Sequence, residues 1–81
     1  MAIVRSSLDN LRLQPLPENA AVYLGLGTVY GMMGQNEKAI RYFEQSAALD
    51  PNNRTTWKNL GVAYRSVGNI PKAEECERKA Q

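Results

Sequence analysis

Shifted against itself by 34 residues, the chain matches at Leu26/Leu60, Gly27/Gly61, Tyr30/Tyr64, Gly34/Gly68, Lys38/Lys72 and Ala39/Ala73. These are six identities in the 28 pairs available from Ala20 onward, with Tyr23 over Trp57 as a conservative seventh. The prolines follow the same period, since Pro17-Glu18-Asn19 precedes the first unit as Pro51-Asn52-Asn53 precedes the second. A fixed period of this length implies stacked copies of one small supersecondary unit, none of which can bury its apolar face alone.

Each unit reads as a pair of helices. Tyr23, Leu26, Gly27, Tyr30 and Met33 recur with the spacing of one helical face. Gly34 supplies a residue able to take positive φ just past the helix end. Gln35 or Asn36 is placed to cap the next helix, in which Ala39, Ile40, Phe43 and Ala47 again share a face. Asp50-Pro51 ends it, because a residue before proline is pushed out of the helical region. The second unit repeats the plan with Trp57, Leu60, Gly61, Tyr64, Gly68 and then Asn69-Ile70-Pro71, a proline tolerated in a first turn. Upstream, Ile3, Val4, Leu8 and Leu11 suggest a further helix ending before Gln14-Pro15. The expectation is an all-α chain of about five helices over 2–13, 19–33, 36–49, 53–67 and 70–80. Its organisation would be a leading helix in 1–18, one repeat in 19–52 and a second in 53–81.

These residues resemble the tetratricopeptide repeat family. Trp57-x2-Leu60-Gly61-x2-Tyr64 followed by Ala73 carries the resemblance in one unit. Leu26-Gly27-x2-Tyr30 followed by Ala39-x3-Phe43 and Pro51 carries it in the other. The resemblance implies antiparallel helix pairs stacked as a short right-handed α-solenoid, with residues 2–19 closing a truncated preceding unit. Small Gly27 and Ala39 then sit where two helices cross, and Tyr23, Leu26, Tyr30 and Phe43 fill the space around them. Glu77 stands where Phe43 stands one period earlier, so the last helix is expected to face solvent.

Composition narrows the function. Leu, Val, Ile and Phe together number 17 of 81 residues, about a fifth, close to the level below which chains stay disordered. The lone Cys76 and the absence of histidine leave no disulfide framework, no expected metal site and no nucleophile–base pair. No cofactor is expected. Gly25-x-Gly27-x3-Gly31 has the look of a nucleotide loop, but the second unit keeps only Gly61 and puts Asn59 in place of Gly25. That makes the shared glycine a packing glycine. The net charge of +2 is too small to suggest nucleic acid, although residues 54–81 carry six basic and three acidic side chains. Asn53-Arg54-Thr55 matches the glycosylation sequon. The longest uncharged run, Asn19–Asn36, is too short and glycine-rich to span a membrane. The opening residues do not read as a signal peptide, and a cytoplasmic location is expected.

A non-enzymatic protein–protein interaction module is therefore expected. In the resembled family, the first helices of successive units line a concave groove for a peptide or partner. In this chain that row is Leu24, Thr28, Met32, Lys58, Asn59, Val62 and Arg65. Asn59 matches one residue of the family's clamp for a terminal carboxylate, but Leu24 and Thr28 stand where its other ligands would be needed, so the groove should instead be apolar and basic by turns. Leu24 and Met32 can equally be buried core. Homo-oligomers through the exposed repeat ends are a further expectation. The second reading makes the chain a repeat segment of a larger protein, such as an enzyme, used for self-association or domain docking.

Overall fold

The computed structural model describes residues 17–81. The leading helix expected over 2–13 lies outside them. Four helices follow one another: α1 (Pro17–Met32), α2 (Asn36–Leu49), α3 (Arg54–Ser66) and α4 (Ile70–Lys79). Among the described residues there is no strand. Sequential neighbours pack, α1 on α2, α2 on α3 and α3 on α4, while α1 touches α3 lightly. The result is a stack of two helical hairpins.

The turns follow from the glycines. Gly34 sits at φ 78° and Gly68 at φ 83°, the left-handed region that only glycine enters without strain. At both, the two amides after the turn reach back into the helix. Gly34 N donates to Gly31 O and Gln35 N to Tyr30 O, as Gly68 N donates to Arg65 O and Asn69 N to Tyr64 O. This paired pattern satisfies carbonyls that a helix end leaves open. The next helix begins differently in each unit. The Asn69 side chain accepts from Lys72 N, whereas Gln35 makes no side-chain cap and Asn36 already lies within α2. Asn53, the sequon residue, caps α3 by accepting from Thr55 N at 3.0 Å.

Ala39, Ile40, Phe43, Leu60, Ala63, Tyr64, Ala73 and Cys76 form the core, with Leu24, Tyr30 and Trp57 packed against it. Ala39 and Ala73 are fully buried. A Cβ at Gly31 would lie 3.8 Å from that of Ala39, and Gly27 and Gly61 mark the tighter contacts between paired helices. A Cβ at Gly27 would stand 2.6 Å from Phe43 Cδ1 and Cε1, and one at Gly61 would stand 3.3 Å from Ala73 O and Glu77 Cγ. Glu77 thus occupies the place of the Phe43 ring. Its stem lies against Gly61 and its carboxylate turns outward to Arg65 Nε and NH2, at 2.6 and 2.8 Å. α4 still buries Ala73 and Cys76 against α3 and leaves its other face to solvent.

Two residues assigned to the packing row depart from it. Leu26 is 39% exposed although its repeat counterpart Leu60 is 3% exposed, and Met33 is also exposed. The physical reason is position in the stack: α3 lies between α2 and α4, whereas α1 packs chiefly on α2 among the described residues. Tyr23 is half-buried, its ring stacked on Tyr42 at 6.2 Å.

Candidate functional site

Among the described residues, clefts open on both faces of the stack. The first opens between the first helices of the two units, α1 and α3, and has a volume of about 280 Å³. Thr28, Gly31 and Met32 form one wall, Asn59, Val62 and Ser66 the other, with Asn36, Phe43 and Ala63 also lining it. Met32 is 83% exposed and Val62 62% exposed, so two large apolar side chains face solvent across this cleft. The hydroxyls are already occupied by their own helices: Thr28 Oγ1 donates to Leu24 O at 2.8 Å, and Ser66 Oγ to Val62 O at 3.0 Å. Asn59, half-buried on the α3 wall, adds a side-chain amide to this lining.

Of the seven groove residues expected from the sequence, Thr28, Met32, Asn59 and Val62 come together here. Leu24 does not line the cleft; it is half-buried against the core. Lys58 is exposed outside the cleft. Arg65 is bound across the turn to Glu77, which holds that carboxyl below the usual carboxylate range. The expected basic component is therefore absent from the lining, which carries no charged residue.

The second cleft lies between the second helices, α2 and α4, over α3, and is larger at about 440 Å³. Trp57, Leu60 and Tyr64 line it from α3, Ala47 and Ala48 from α2, and Cys76 from α4. Cations lie over its rings. Lys79 Nζ stands 4.5 Å from the Trp57 ring centre and Lys72 Nζ 5.5 Å from that of Tyr64, distances at which the ring quadrupole attracts an ammonium. The Lys72–Tyr64 contact repeats Lys38 over Tyr30 at 5.4 Å, one period earlier. Tyr64 Oη donates to Glu44 at 2.7 Å, and Trp57 Nε1 donates to Pro51 O at 2.7 Å. Burial first, and then the Glu44 carboxylate, push the Tyr64 phenol well above the usual tyrosine range. Burial likewise pushes the Cys76 thiol up, which disfavours its nucleophilic thiolate form. With Lys79 also paired to Glu75 at 3.5 Å, two of the six basic side chains of residues 54–81 stand in ion pairs, and the net surplus of three is left to the surface.

Several structural residues carried no recognisable sequence signal. Ser46 Oγ donates to Ala20 O at 2.8 Å and lies 3.4 Å from Thr56 Oγ1, joining α1, α2 and α3 at one buried point. Tyr42 stacks on Tyr30 at 5.4 Å, nearly parallel. Among the described residues, no three His, Cys, Asp or Glu side chains gather as a metal would require, and no helix is long and apolar enough to cross a membrane.

Paired antiparallel helices at a 34-residue period, crossing at glycine and opening a cleft between their first members, define a helical-repeat protein. The tetratricopeptide repeat family matches residues 20–81, and the chain belongs to that family. An uncharacterized protein of Methanocaldococcus jannaschii, MJ0572, is 36% identical over 59 residues, covering 73% of this chain and 69% of that one. The TPR repeat-containing protein MJ0798 of the same organism is 33% identical over 58 residues, 72% of this chain and 17% of that protein. The photosystem I assembly protein Ycf3 of Rippkaea orientalis is 30% identical over 80 residues, 93% of this chain and 46% of that protein. The chain thus spans most of one of these relatives and less than half of the other two.

Proposed function

We propose that the chain is a protein–protein interaction module that binds a short apolar segment of a partner in the cleft between α1 and α3. Membership of a repeat family that typically mediates such interactions supports the class. The observation that carries the site is the pair Met32 and Val62, exposed to solvent on opposite walls, with Asn59 half-buried on the same wall as Val62. Exposed apolar side chains converging on a concavity are the usual mark of a binding surface. Met32 adapts its shape to an apolar anchor. Asn59 offers a donor and an acceptor to the backbone of an extended segment. Because the lining is uncharged, affinity should depend only weakly on salt.

Selection of peptides on the full chain from a random display library, followed by calorimetry on the winners, tests this reading. Met32→Glu should abolish their binding, since it places a charge where apolar surface is buried. Lys72→Glu, in the opposite cleft, should leave it unchanged. The reverse pattern would move the site to the face of α2 and α4 and end the proposal.

A further inference from the structure

The cleft between α2 and α4 differs from the matching surface one period earlier by a single ring. In the first unit, Tyr42 of α2 stacks against two rings of α1. Its ring centre lies 6.2 Å from that of Tyr23, with 22° between the planes, and 5.4 Å from that of Tyr30, with 3°. Tyr23 and Tyr30 are seven residues apart, about two helical turns, so the Tyr42 ring fills the gap between them. Lys38 lies over Tyr30 at 5.4 Å.

In the second unit the arrangement recurs without the inserted ring. Trp57 stands for Tyr23, Tyr64 for Tyr30, and Lys72 for Lys38, its ammonium over Tyr64 at 5.5 Å. Cys76 stands where Tyr42 does. The hollows correspond position by position. One of about 220 Å³ is lined by Tyr30, Lys38, Arg41, Tyr42 and Gln45. The α2–α4 cleft, about 440 Å³, has Tyr64, Lys72, Glu75, Cys76 and Lys79 at the same five places. A thiol is far smaller than a phenol, so the place filled by Tyr42 in the first unit is left open between Trp57 and Tyr64.

We propose that this slot is a second binding site, which takes an aromatic side chain of another protein between Trp57 and Tyr64 as Tyr42 sits between Tyr23 and Tyr30. The first unit shows the occupant that the surface is shaped for. Stacked rings 4.5–7 Å apart attract beyond the area they bury, which favours a ring over an aliphatic chain. Lys72 and Lys79 balance Glu44 and Glu75 in the lining, so selection rests on the ring rather than on charge. Lys79, 4.5 Å from the Trp57 ring centre, shares that ring with the occupant. Its side chain is 49% exposed, and its flexible stem lets it yield without leaving water.

The ring has to come from another molecule. Residues 1–16 contain no aromatic residue. The six aromatic side chains of the chain are already committed. Tyr23, Tyr30 and Tyr42 form their own stack, Phe43 lies in the core, and Trp57 and Tyr64 are the walls of the slot. A second copy could supply a ring only by dismantling its own packing.

Titration of the full 81-residue chain with N-acetyl-tryptophanamide and N-acetyl-leucinamide, followed by methyl shifts, tests the proposal. Ring-current shifts are expected at Ala47, Ala48 and Leu60, which line the cleft. The tryptophan probe should bind about fivefold more tightly than the leucine probe, the margin that an aromatic pair adds to simple burial. Equal binding of the two probes, or silence at these methyls, would overturn the proposal. Cys76→Tyr supplies the ring from within. It should fold, show Overhauser contacts from the new ring to Trp57 and Tyr64, and abolish the response to N-acetyl-tryptophanamide. Cys76→Ala leaves the slot open and should bind the probe as the parent does. A Cys76→Tyr chain that fails to fold or still binds, or a Cys76→Ala chain that does not bind, would overturn the proposal equally. Met32→Glu should leave binding of this probe intact, and Cys76→Tyr should leave peptide binding in the α1–α3 cleft intact, so the two proposals fail separately.

Discussion

Replacing Gly27 by alanine adds a single methyl group where the structure has no room for it. The new Cβ would stand 2.6 Å from two atoms of the Phe43 ring, about an ångström inside ordinary carbon–carbon contact. Phe43 is buried, so the ring cannot swing into solvent, and the helices must part or the ring leave its rotamer. Such overpacking costs typically 1–3 kcal/mol. Alanine returns about 1 kcal/mol through its better helix propensity. With a rigid ring as the obstacle, the upper part of the overpacking range applies, and the net loss should be about 1–2 kcal/mol. Gly61→Ala supplies the internal comparison. Its Cβ would meet Ala73 O and Glu77 Cγ at 3.3 Å, a crowding that a few tenths of an ångström relieve. The propensity gain should nearly cancel that cost. Urea unfolding followed by circular dichroism at 222 nm reads both. Each kcal/mol should also move the thermal midpoint by about 4–8 °C in a chain this size. Trimming the obstacle with Phe43→Leu in the Gly27→Ala background should show a favourable coupling of more than about 0.5 kcal/mol. A Gly27→Ala chain as stable as the parent, or a Gly61→Ala chain that loses more, would refute the assignment of Gly27 to a tight crossing against Phe43.

Three other expectations follow from single contacts. Ser46→Ala removes the buried donor to Ala20 O and the neighbour of Thr56, and should cost about 1–2 kcal/mol in urea. Tyr64 governs alkaline stability. Its phenol keeps its proton in the folded chain at pH values where the unfolded one ionises, so its contribution is complete below the ordinary tyrosine value and declines as pH rises beyond it. The decline approaches about 1.4 kcal/mol per pH unit, and Tyr64→Phe should flatten the stability curve above about pH 10. Cys76, buried and with its thiol pushed up, should react with a thiol reagent only after unfolding, and rapid labelling of the native chain at pH 8 would contradict its place between α3 and α4.

Much of the fold was legible because a repeat states its rule twice. The second helix of the first unit has the expected bounds, 36–49, and the ends of the other three described helices shift by two residues or fewer. Asn53 and Val67, for example, prove to be the caps of α3 rather than its first and last residues. Periodicity identifies an apolar face but not whether something lies against it, which is why Leu26 and Met33 share the spacing of one helical face with Tyr30 yet are exposed. Ser46 and Thr56 carry hydroxyl side chains of the kind mostly found at surfaces. Their burial depends on one another and on a backbone carbonyl 26 positions from Ser46, which no local pattern reveals. Of the residue row expected along the first helices, four of seven line the α1–α3 cleft, and the others depart for the same reason. Arg65 belongs to the expected row by spacing, yet its guanidinium is captured by Glu77, 12 residues later and across a turn.

The claim that a partner segment lies between α1 and α3 is met most directly by mapping amide and methyl shifts on the labelled chain as a selected peptide is added. The largest changes should fall at Thr28, Met32, Asn59 and Val62, with Glu44, Trp57, Lys72 and Lys79 unmoved. Changes concentrated at Glu44, Trp57, Lys72 and Lys79, with the α1–α3 cleft silent, would place binding on the opposite face and contradict it.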